Sequence, residues 1–415
     1  MSHISASEPP WWPSRRLKTI VRLRRTRLSQ TQEELRHLSL SAYTGVTDKE
    51  FDDENQVRTQ AALQDYQLVE PNDLVTNPMW LLNGGLAISK KRGVVSPAYR
   101  VYTPSSEVDP DYLHYLLKSE PYVQQYNRLI RGLTTYDRSV TREDFEALQV
   151  PMPPLPVQQQ LAAYLERETS RIDLLIASKE RLLALLDEQR QTLTSSAVTK
   201  GLDPTAPTKD SGISWIGPMN ADWQVVRTKY LCRLTTGVRD TQDAEPEAEF
   251  PFYVRSPIVL RASTSSFSGE AVLTAGDGEG GVGKVFHHHR EGRFEAHQRV
   301  YVFYKFSRAV PRFFYYYLRA HLRRVTLAGT AETTHASLRR PMLIDFPGTL
   351  PSIDAQRAIV RKLDEAAAHA EAFRGKMASS LALLRERRQS LVATAVTGHF
   401  DPSVHMPRPE EAIAT

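Results

Sequence analysis

Cysteine is nearly absent from this sequence of 415 residues, because Cys232 is the single one. One cysteine cannot form an internal disulfide, and it cannot supply a metal site built from several thiolates. The sequence therefore indicates a protein of a reducing compartment, and we expect it in the cytoplasm.

Long hydrophobic runs are missing as well. No apolar stretch approaches the roughly 20 residues that a membrane-spanning helix needs. The N-terminal residues contain no apolar core of a signal peptide, so we expect no secretion and no membrane partner. The excess of one sign of charge is also small, with 53 Lys and Arg residues against 48 Asp and Glu and a formal net charge of only +5. Such a mild basic bias permits a nucleic-acid partner without requiring one.

An internal repeat is the most informative feature of the chain. Residues 151–204 align without a gap on residues 349–402, and 16 of the 54 aligned residues are identical. The identities include Gln158 with Gln356 and the segment 183–186 with 381–384. Because the shift is close to half the chain length, the sequence predicts two copies of one plan, each a globular segment followed by a long helix.

Each copy of the repeat carries a heptad pattern. Pro151, Pro153, Pro154 and Pro156 should all precede the first helix, since proline disrupts a helix interior, and Gly201 should end it. Apolar residues then recur at steps of three and four, which is typical of a coiled coil. The predicted seam consists of Leu161, Leu165, Ile172, Leu175, Leu182, Leu186 and Leu193 in the first copy, and Ile359, Leu363, Phe373, Met377, Leu384 and Leu391 in the second.

The predicted fold class is α+β. We expect two globular mixed α/β domains, separated by two long antiparallel helices that form an intramolecular coiled coil with pseudo-twofold symmetry. A dimerisation coiled coil between two molecules is the alternative, but the duplication favours pairing within the chain. The predicted segments are the domains 1–150 and 205–346, the helices 151–204 and 347–402, and a disordered tail 403–415.

The globular segments share a skeleton although they share little sequence. Trp12 followed by Arg16, Leu17 and Lys18 parallels Trp223 followed by Arg227, Thr228 and Lys229. Strand-like patterns occur at 99–102 and 299–303, and helical patterns at 111–130 and 311–324. Dissimilar globular parts on duplicated helices indicate two modules that do the same job on different targets.

Several segments resemble specificity subunits of Type I restriction–modification systems. Residues 150–160, 172–176 and 197–204 resemble their central conserved region, residues 210–217 the entry to their second target-recognition domain, and residues 347–402 their distal conserved region. The resemblance implies that each globular domain is a target-recognition domain that reads one half of a bipartite site in double-stranded DNA. It also implies that the helices set the spacer and dock two methyltransferase subunits, which methylate adenine.

The same resemblance implies that this chain is not an enzyme and holds no cofactor. S-adenosylmethionine, ATP and magnesium are then expected on the partners, which are the two methyltransferase subunits and two motor–nuclease subunits. A coiled-coil scaffold without sequence-specific DNA binding is the alternative function. A stand-alone methyltransferase is disfavoured, because residues 77–80 match the Asn-Pro-Pro-aromatic tetrapeptide only in part and no glycine-rich cofactor loop accompanies them.

DNA contacts are expected from basic side chains on phosphates and from a few side chains at base edges. Residues 11–27 hold seven basic residues and no acid, although a solvated strand face would look the same. In the first domain the candidates are Arg15, Arg16, Lys18, Lys90, Lys91, Arg92, Arg131, Tyr136 and Arg138. In the second they are Arg255, Arg261, Lys284, Arg299 and His335.

Two further motifs resemble a nucleotide site and a metal site, but the residues around them argue against both. Residues 278–284 fit the spacing of a phosphate-binding loop, but Val285 stands where a hydroxyl should hold magnesium. His287, His288 and His289 suggest a metal, yet neighbouring residues of a strand point to opposite faces. We therefore expect neither nucleotide nor metal binding by this chain.

Overall fold

The structure is a computed structural model, and it describes residues 12–27, 35–41, 44–49, 65–130, 139–275, 286–328 and 338–398. The fold class is α+β, with mixed sheet-and-helix domains and two long helices, as the sequence predicts. The chain divides into two compact units. The first comprises Met1–Lys179 and Ser379–Thr415, and the second comprises Glu180–Ala378.

The globular part of the first unit is built on a four-stranded antiparallel sheet in the order β2-β9-β6-β7. Smaller two-stranded pairs, β1-β10, β3-β4 and β5-β8, surround this sheet. The strands are β1 (Ser14–Arg16), β2 (Val21–Leu23), β3 (Leu38–Ser41), β4 (Gly45–Asp48), β5 (Gln67–Val69), β6 (Leu74–Thr76), β7 (Leu86–Ile88), β8 (Gly93–Val95), β9 (Arg100–Pro104) and β10 (Gln149–Pro151).

Three short helices cover this sheet: α1 (Pro110–Lys118), α2 (Glu120–Leu129) and α3 (Arg142–Glu146). The helical pattern at 111–130 is therefore two helices, because Ser119 takes an extended conformation and ends α1 before Pro121 opens α2. The Asp109 side chain caps α1 by accepting a hydrogen bond from the Tyr112 N–H at 2.8 Å. Leu113, Leu116 and Leu117 of α1 lie fully buried in the core.

The first long helix, α4 (Leu155–Lys200), contains 46 residues. It ends at Gly201, whose φ of 93° is a conformation that glycine adopts without strain, and this ending is as predicted. The expectation that Pro156 lies outside the helix is wrong. Pro156 is the second residue of α4, in the first turn, where a missing N–H leaves no helical hydrogen bond unmade.

The second unit repeats the architecture of the first. Its main sheet has the order β14-β20-β17-β18, all antiparallel, which matches β2-β9-β6-β7 strand for strand. The strands are β11 (Thr208–Asp210), β12 (Pro218–Asn220), β13 (Gln224–Arg227), β14 (Arg233–Thr236), β15 (Phe250–Tyr253), β16 (Val259–Ala262), β17 (Ala271–Ala275), β18 (Phe286–Arg290), β19 (Glu295–Ala296), β20 (Val300–Tyr304) and β21 (Pro347–Leu350). The helices are α5 (Pro311–Ala328), α6 (Arg340–Ile344) and α7 (Ile353–Val396).

The shared skeleton that the sequence indicates is confirmed. Trp12 precedes β1 and Trp223 precedes β13, and each of these strands runs into a short 3-10 turn. The strand-like patterns at 99–102 and 299–303 correspond to β9 and β20, and the helical pattern at 311–324 corresponds to α5.

In each unit the beginning of one long helix packs against the end of the other, so the two helices run antiparallel there. In the first unit Leu161 and Leu165 share a buried cluster with Val392 and Val396, and Arg388 pairs with Asp173 at 2.8 Å. In the second unit Ala197 and Val198 share a cluster with Ile359 and Leu363, and Arg374 pairs with Asp187.

The predicted seam needs a correction at two positions. Leu175 and Leu182 are 47% and 45% exposed, whereas the neighbouring Ile176 and Leu183 are partly buried. The difference begins at Thr169, which is buried and whose hydroxyl donates to the Leu165 carbonyl at 2.6 Å. From there on every second position of the seam lies one residue later than predicted, whereas Ile172, Leu186 and Leu193 keep their predicted places. Leu161, Leu165, Ile172, Ile359 and Leu363 are buried, and Leu186, Leu193, Phe373, Met377, Leu384 and Leu391 are partly buried.

The identical glutamines of the repeat have the same structural role in both units. Gln158 donates to the carbonyls of Pro153 and Glu107 and accepts the Asp109 N–H at 2.9 Å. Gln356 donates to the carbonyls of Pro351 and Arg308 and accepts the Val310 N–H at 2.6 Å. Each buried amide therefore joins the start of a long helix to the chain that enters the first helix of its globular part.

Candidate nucleic-acid interface

One end of the main sheet collects exposed loops in the first unit. Because β2 and β6 are both antiparallel to β9, and β6 is antiparallel to β7, the strands β2 and β6 end where β9 and β7 begin. Residues 24–27 follow β2, and residues 77–85 connect β6 to β7. We call this end the basic end of the first unit, because residues 24–27 contain three arginines.

The arginines at this end have different surroundings. Arg24 forms a bidentate ion pair with the buried Asp73, at 2.7 and 3.0 Å. Arg25 is exposed, and Arg27 pairs with Asp65 at 2.8 Å. Arg24 is therefore a structural residue, while Arg25 presents its charge to solvent and can meet a phosphate.

The loop between β6 and β7 presents two large hydrophobic side chains, Met79 and Trp80, which are both exposed. Its backbone is well fixed. The Asn77 side chain accepts the Met79 N–H, and the Trp80 carbonyl accepts the Gly85 N–H at 2.8 Å. A side chain at position 85 would collide with the Trp80 backbone, so the tight turn requires glycine there.

The remaining N-terminal candidates are spread along the start of the domain. Arg15 lies in β1 and pairs with Glu107, and Arg16 at the end of the same strand is exposed. Lys18 is exposed in the following 3-10 turn. These residues precede β2, so they do not belong to the loops at the basic end.

The candidates Lys90, Lys91 and Arg92 lie at the opposite end of the sheet, in the loop that follows β7. All three cations have carboxylate partners. Lys90 pairs with Asp111, Lys91 with Asp48 and Arg92 with Glu70. The hydrogen bond from Lys91 is the main reason why the pKa of Asp48 lies below its usual value. The three carboxylates offset the positive charge of this loop, although exposed ion pairs of this kind are weak.

The second unit has an equivalent basic end. There β14 and β17 end where β20 and β18 begin. Residues 237–240 follow β14, and Arg299 precedes β20. The His297 N–H donates to the Tyr253 carbonyl at 2.9 Å, and His297 also forms a backbone bridge with Arg239. These contacts place Arg239 and Arg299, together with Arg255 just after β15, in neighbouring segments of the basic end.

Arg261 differs from the other arginines in the second unit. It lies in β16, and its guanidinium donates to the carbonyls of Ala248 and Glu249, each at 2.7 Å. Its described contacts hold the chain that leads into β15. Arg261 is exposed, so this positioning role does not prevent a contact with DNA.

Some candidates lie outside the described residues: Arg131, Tyr136, Arg138, Lys284 and His335. The tail 403–415 and residues 276–285, with the glycine-rich motif, lie outside them too. Val140, which is described, donates its N–H to the Pro78 carbonyl at 3.2 Å, and its carbonyl accepts from Arg100 at 3.1 Å.

The three consecutive histidines occupy β18, and their rings face different sides. The His288 ring lies 4.9 Å from the Tyr253 ring, and the His289 ring lies 6.3 Å from that of Tyr315. Burial lowers the pKa values of His287 and His288, the former to about 3. Across the part of the chain that the structure describes, no group of three or more His, Cys, Asp or Glu side chains could hold a metal ion.

Sequence reasoning missed Arg239 and the exposed Val238 beside it, although both follow a strand directly. The signal was weak, because a single Val-Arg pair occurs in many exposed turns. None of the helices among the described residues is long and apolar enough to cross a membrane.

A second exposed feature is an apolar stripe on α4. Leu174, Leu175, Leu182 and Leu185 are all exposed, and their spacings place them on one side of the helix. The stripe is distinct from the seam. The seam lies on the other side of α4 and contains the buried or partly buried Ile172, Ile176, Leu183 and Leu186. Exposed leucines along one side of a helix offer an apolar surface that another protein can cover.

Two solved structures have the same fold as this chain. A solved structure described as the structural basis of complex assembly and conformational transition of the type I R-M system has a TM-score of 0.72 at 16% identity, covering 95% of this chain and 100% of that chain. The HsdS subunit from Thermoanaerobacter tengcongensis has a TM-score of 0.50 at 16% identity, covering 96% of this chain and 100% of that chain. At this identity these matches show a shared fold.

Sequence relatives lead to the same family. Over 184 residues the chain is 29% identical to the Type I restriction enzyme EcoDI specificity subunit of Escherichia coli, covering 44% of this chain and 40% of that protein. Over 172 residues it is 26% identical to the Type I restriction enzyme MjaVIII specificity subunit of Methanocaldococcus jannaschii, covering 41% of this chain and 37% of that protein. The matched part thus spans about two-fifths of the length of these curated relatives. No protein-family model matches the chain.

The resemblance to Type I specificity subunits, which the motifs of the sequence predict, is therefore confirmed in sequence by curated relatives and in fold by solved structures.

Proposed function

We propose that this chain is the DNA-recognition subunit of a Type I restriction–modification complex and performs no catalysis itself. The observation that carries the proposal is the duplicated sheet, whose equivalent end in each unit presents arginines on differing loops. A common scaffold with dissimilar loops suits two readers of two different DNA sequences. The similarity to specificity subunits supports the same function.

Each unit would read one half of a bipartite site in double-stranded DNA. In the first unit Arg25 and the loop with Met79 and Trp80 are the contacts that the geometry favours. In the second unit these are Arg239, Arg255 and Arg299. The two long helices would set the number of unspecified base pairs between the halves.

The partners would be two methyltransferase subunits and two motor–nuclease subunits, and the exposed leucines of α4 would form part of a docking surface. An apolar stripe of this kind loses its contact with water when a partner covers it. Methyl transfer and ATP-driven steps would take place on the partners, which would hold S-adenosylmethionine, ATP and magnesium. This chain would supply the sequence selectivity of the complex.

Selection from a library of randomised duplexes tests the proposal. The full chain is incubated with the library at several salt concentrations, with and without its methyltransferase partner, and the retained duplexes are sequenced. We expect enrichment of a consensus made of two fixed parts separated by a spacer of constant length. Retention of duplexes without any consensus would contradict the proposal and favour a coiled-coil scaffold without sequence-specific DNA binding.

A further inference from the structure

Val238 combines an exposed side chain with a tightly held backbone. It follows β14 at the basic end of the second unit, and its side chain is 74% exposed. The residues on either side are fixed by hydrogen bonds. The Gly237 N–H donates to the Val300 carbonyl at 3.3 Å, and the Arg239 carbonyl accepts the Gln298 N–H at 2.8 Å. The turn therefore holds one aliphatic side chain outward in a defined position.

Glycine at position 237 makes this arrangement possible. A Cβ atom there would lie 1.8 Å from the Ala296 carbonyl oxygen, so no larger residue fits without moving the chain. The turn thus lies directly against the end of β19 and His297, which begins the segment that carries Arg299.

Buried polar side chains fix the segment that lies against the turn. Glu295 is fully buried, and its carboxylate accepts the N–H and the hydroxyl of Ser266, at 3.0 and 2.7 Å. His297 is buried too, and its Nδ1 accepts the Arg299 N–H at 3.0 Å. Burying a carboxylate or an imidazole is unfavourable unless its hydrogen bonds are made. The hydrogen bonds of Glu295 and His297 therefore favour one arrangement of the loops that they connect.

Two side chains complete the attachment of the turn. Gln298 donates to the Asp240 carboxylate at 2.8 Å, and Arg239 donates to the Thr264 hydroxyl at 3.1 Å. Val238 lies between these attachments, and its side chain has no polar group that needs a hydrogen-bond partner. Single exposed valines are common on protein surfaces, but the hydrogen bonds on both sides of Val238 fix its backbone in the way that a site of defined geometry requires.

We propose that Val238 is a base-contacting residue of the second unit and packs against the methyl group of a thymine in the major groove of DNA. The inference rests on the proposed function and adds a specificity-determining residue to it. A valine cannot form hydrogen bonds, and the thymine methyl is the apolar group that base pairs offer in the major groove. Arg239 and Arg299 on the neighbouring segments would attract the adjacent phosphates.

The test uses the full chain with its methyltransferase partner and a duplex that carries the consensus selected by the wild type. Each thymine of the half-site read by the second unit is replaced in turn by deoxyuridine, which lacks the methyl group. We expect one replacement to weaken binding by the wild type about three- to fivefold, the effect of burying one methyl group. The Val238→Ala variant should bind both duplexes equally and more weakly than the wild type binds thymine.

Val225→Ala is the matched control, because Val225 is also exposed but lies in β13, outside the basic end. It should keep the full preference for thymine over deoxyuridine. The inference is overturned if Val238→Ala retains that preference, if no deoxyuridine replacement affects the wild type, or if the half-site contains no thymine. It is also overturned if Val238→Ala weakens only the binding of the methyltransferase subunit.

Failure of the inference can be distinguished from failure of the proposed function. If the wild type selects no two-part consensus, the proposed function fails. If the wild type selects one and the Val238→Ala variant selects it with the same base preferences, only the role of Val238 is refuted.

Discussion

Neighbouring arginines can have opposite roles, and Arg24 and Arg25 illustrate this at the scale of single residues. The carboxylate of Asp73 is buried and accepts hydrogen bonds from Arg24, from the Thr103 hydroxyl and from the Glu70 N–H. Arg24 supplies the charge that compensates this carboxylate. Arg25, one residue further along, is exposed and contributes to the charge of the surface.

Arg24→Ala should therefore destabilise the fold, and Arg25→Ala should not. Removing Arg24 leaves a buried carboxylate without its cation, for which we expect a loss of about 3–5 kcal/mol in the free energy of unfolding, measured by urea denaturation. Arg25→Ala should change stability by less than about 0.5 kcal/mol.

Arg25→Ala should weaken DNA binding although it leaves the stability of the fold unchanged. We expect weaker binding of Arg25→Ala and a decrease of about 0.9 in the slope of log affinity against log salt, as for the loss of one phosphate contact. Unchanged affinity of this variant across a range of salt concentrations would remove Arg25 from the DNA interface.

Composition alone could not separate these roles. The sequence shows seven basic residues without an acid between positions 11 and 27. Their carboxylate partners, Glu107, Asp73 and Asp65, come from distant parts of the chain. The same holds for Lys90, Lys91 and Arg92, because three different segments supply the acids that pair with them. Partners that only the tertiary fold brings together leave no signal in the local sequence.

At the scale of elements, the long helices were predictable and their seam was predictable only in part. The repeat and the heptad spacing indicate two paired helices, and the structure contains α4 and α7 at these positions. Counting heptads could not place Thr169 in the seam, since threonine is usually an exposed residue. Its hydroxyl is satisfied by the Leu165 carbonyl, and this allows its burial.

A pair of lysine substitutions tests the corrected seam. Ile176→Lys places a charge on the sheltered side of α4, and we expect a loss of about 2–3 kcal/mol in the free energy of unfolding. Leu175→Lys, one residue earlier, should leave stability within about 0.5 kcal/mol of the wild type, because Leu175 is already half exposed. Equal destabilisation by both variants, measured by thermal and urea unfolding, would contradict the revised seam.

The same pair also examines the exposed leucines of α4. If the stripe docks a methyltransferase subunit, Leu175→Lys should weaken that association although the chain remains folded. Calorimetric titration of the variant with the methyltransferase subunit measures the effect, and undiminished affinity would exclude Leu175 from the docking surface.

At the scale of the whole molecule, the duplication explains why the architecture could be predicted from one sequence. The two copies of the repeat keep 16 identities over residues 151–204 and 349–402, including glutamines with matching hydrogen bonds in the two units. The globular parts share a strand order but little sequence. Their loops could not be derived from one another, because a common sheet fixes only where the loops begin and end. Residues such as Val238 therefore required the structure.

The proposed function requires that one chain carries two different DNA readers and that its long helices set the spacer between their half-sites. Sequencing of adenine methylation in the host genome tests this directly, using the wild-type chain and a variant with seven residues inserted into each long helix. We expect a modified two-part motif whose spacer grows by about three base pairs in the variant, since seven helical residues add about 10 Å. An undivided motif, or a two-part motif with an unchanged spacer, would contradict it.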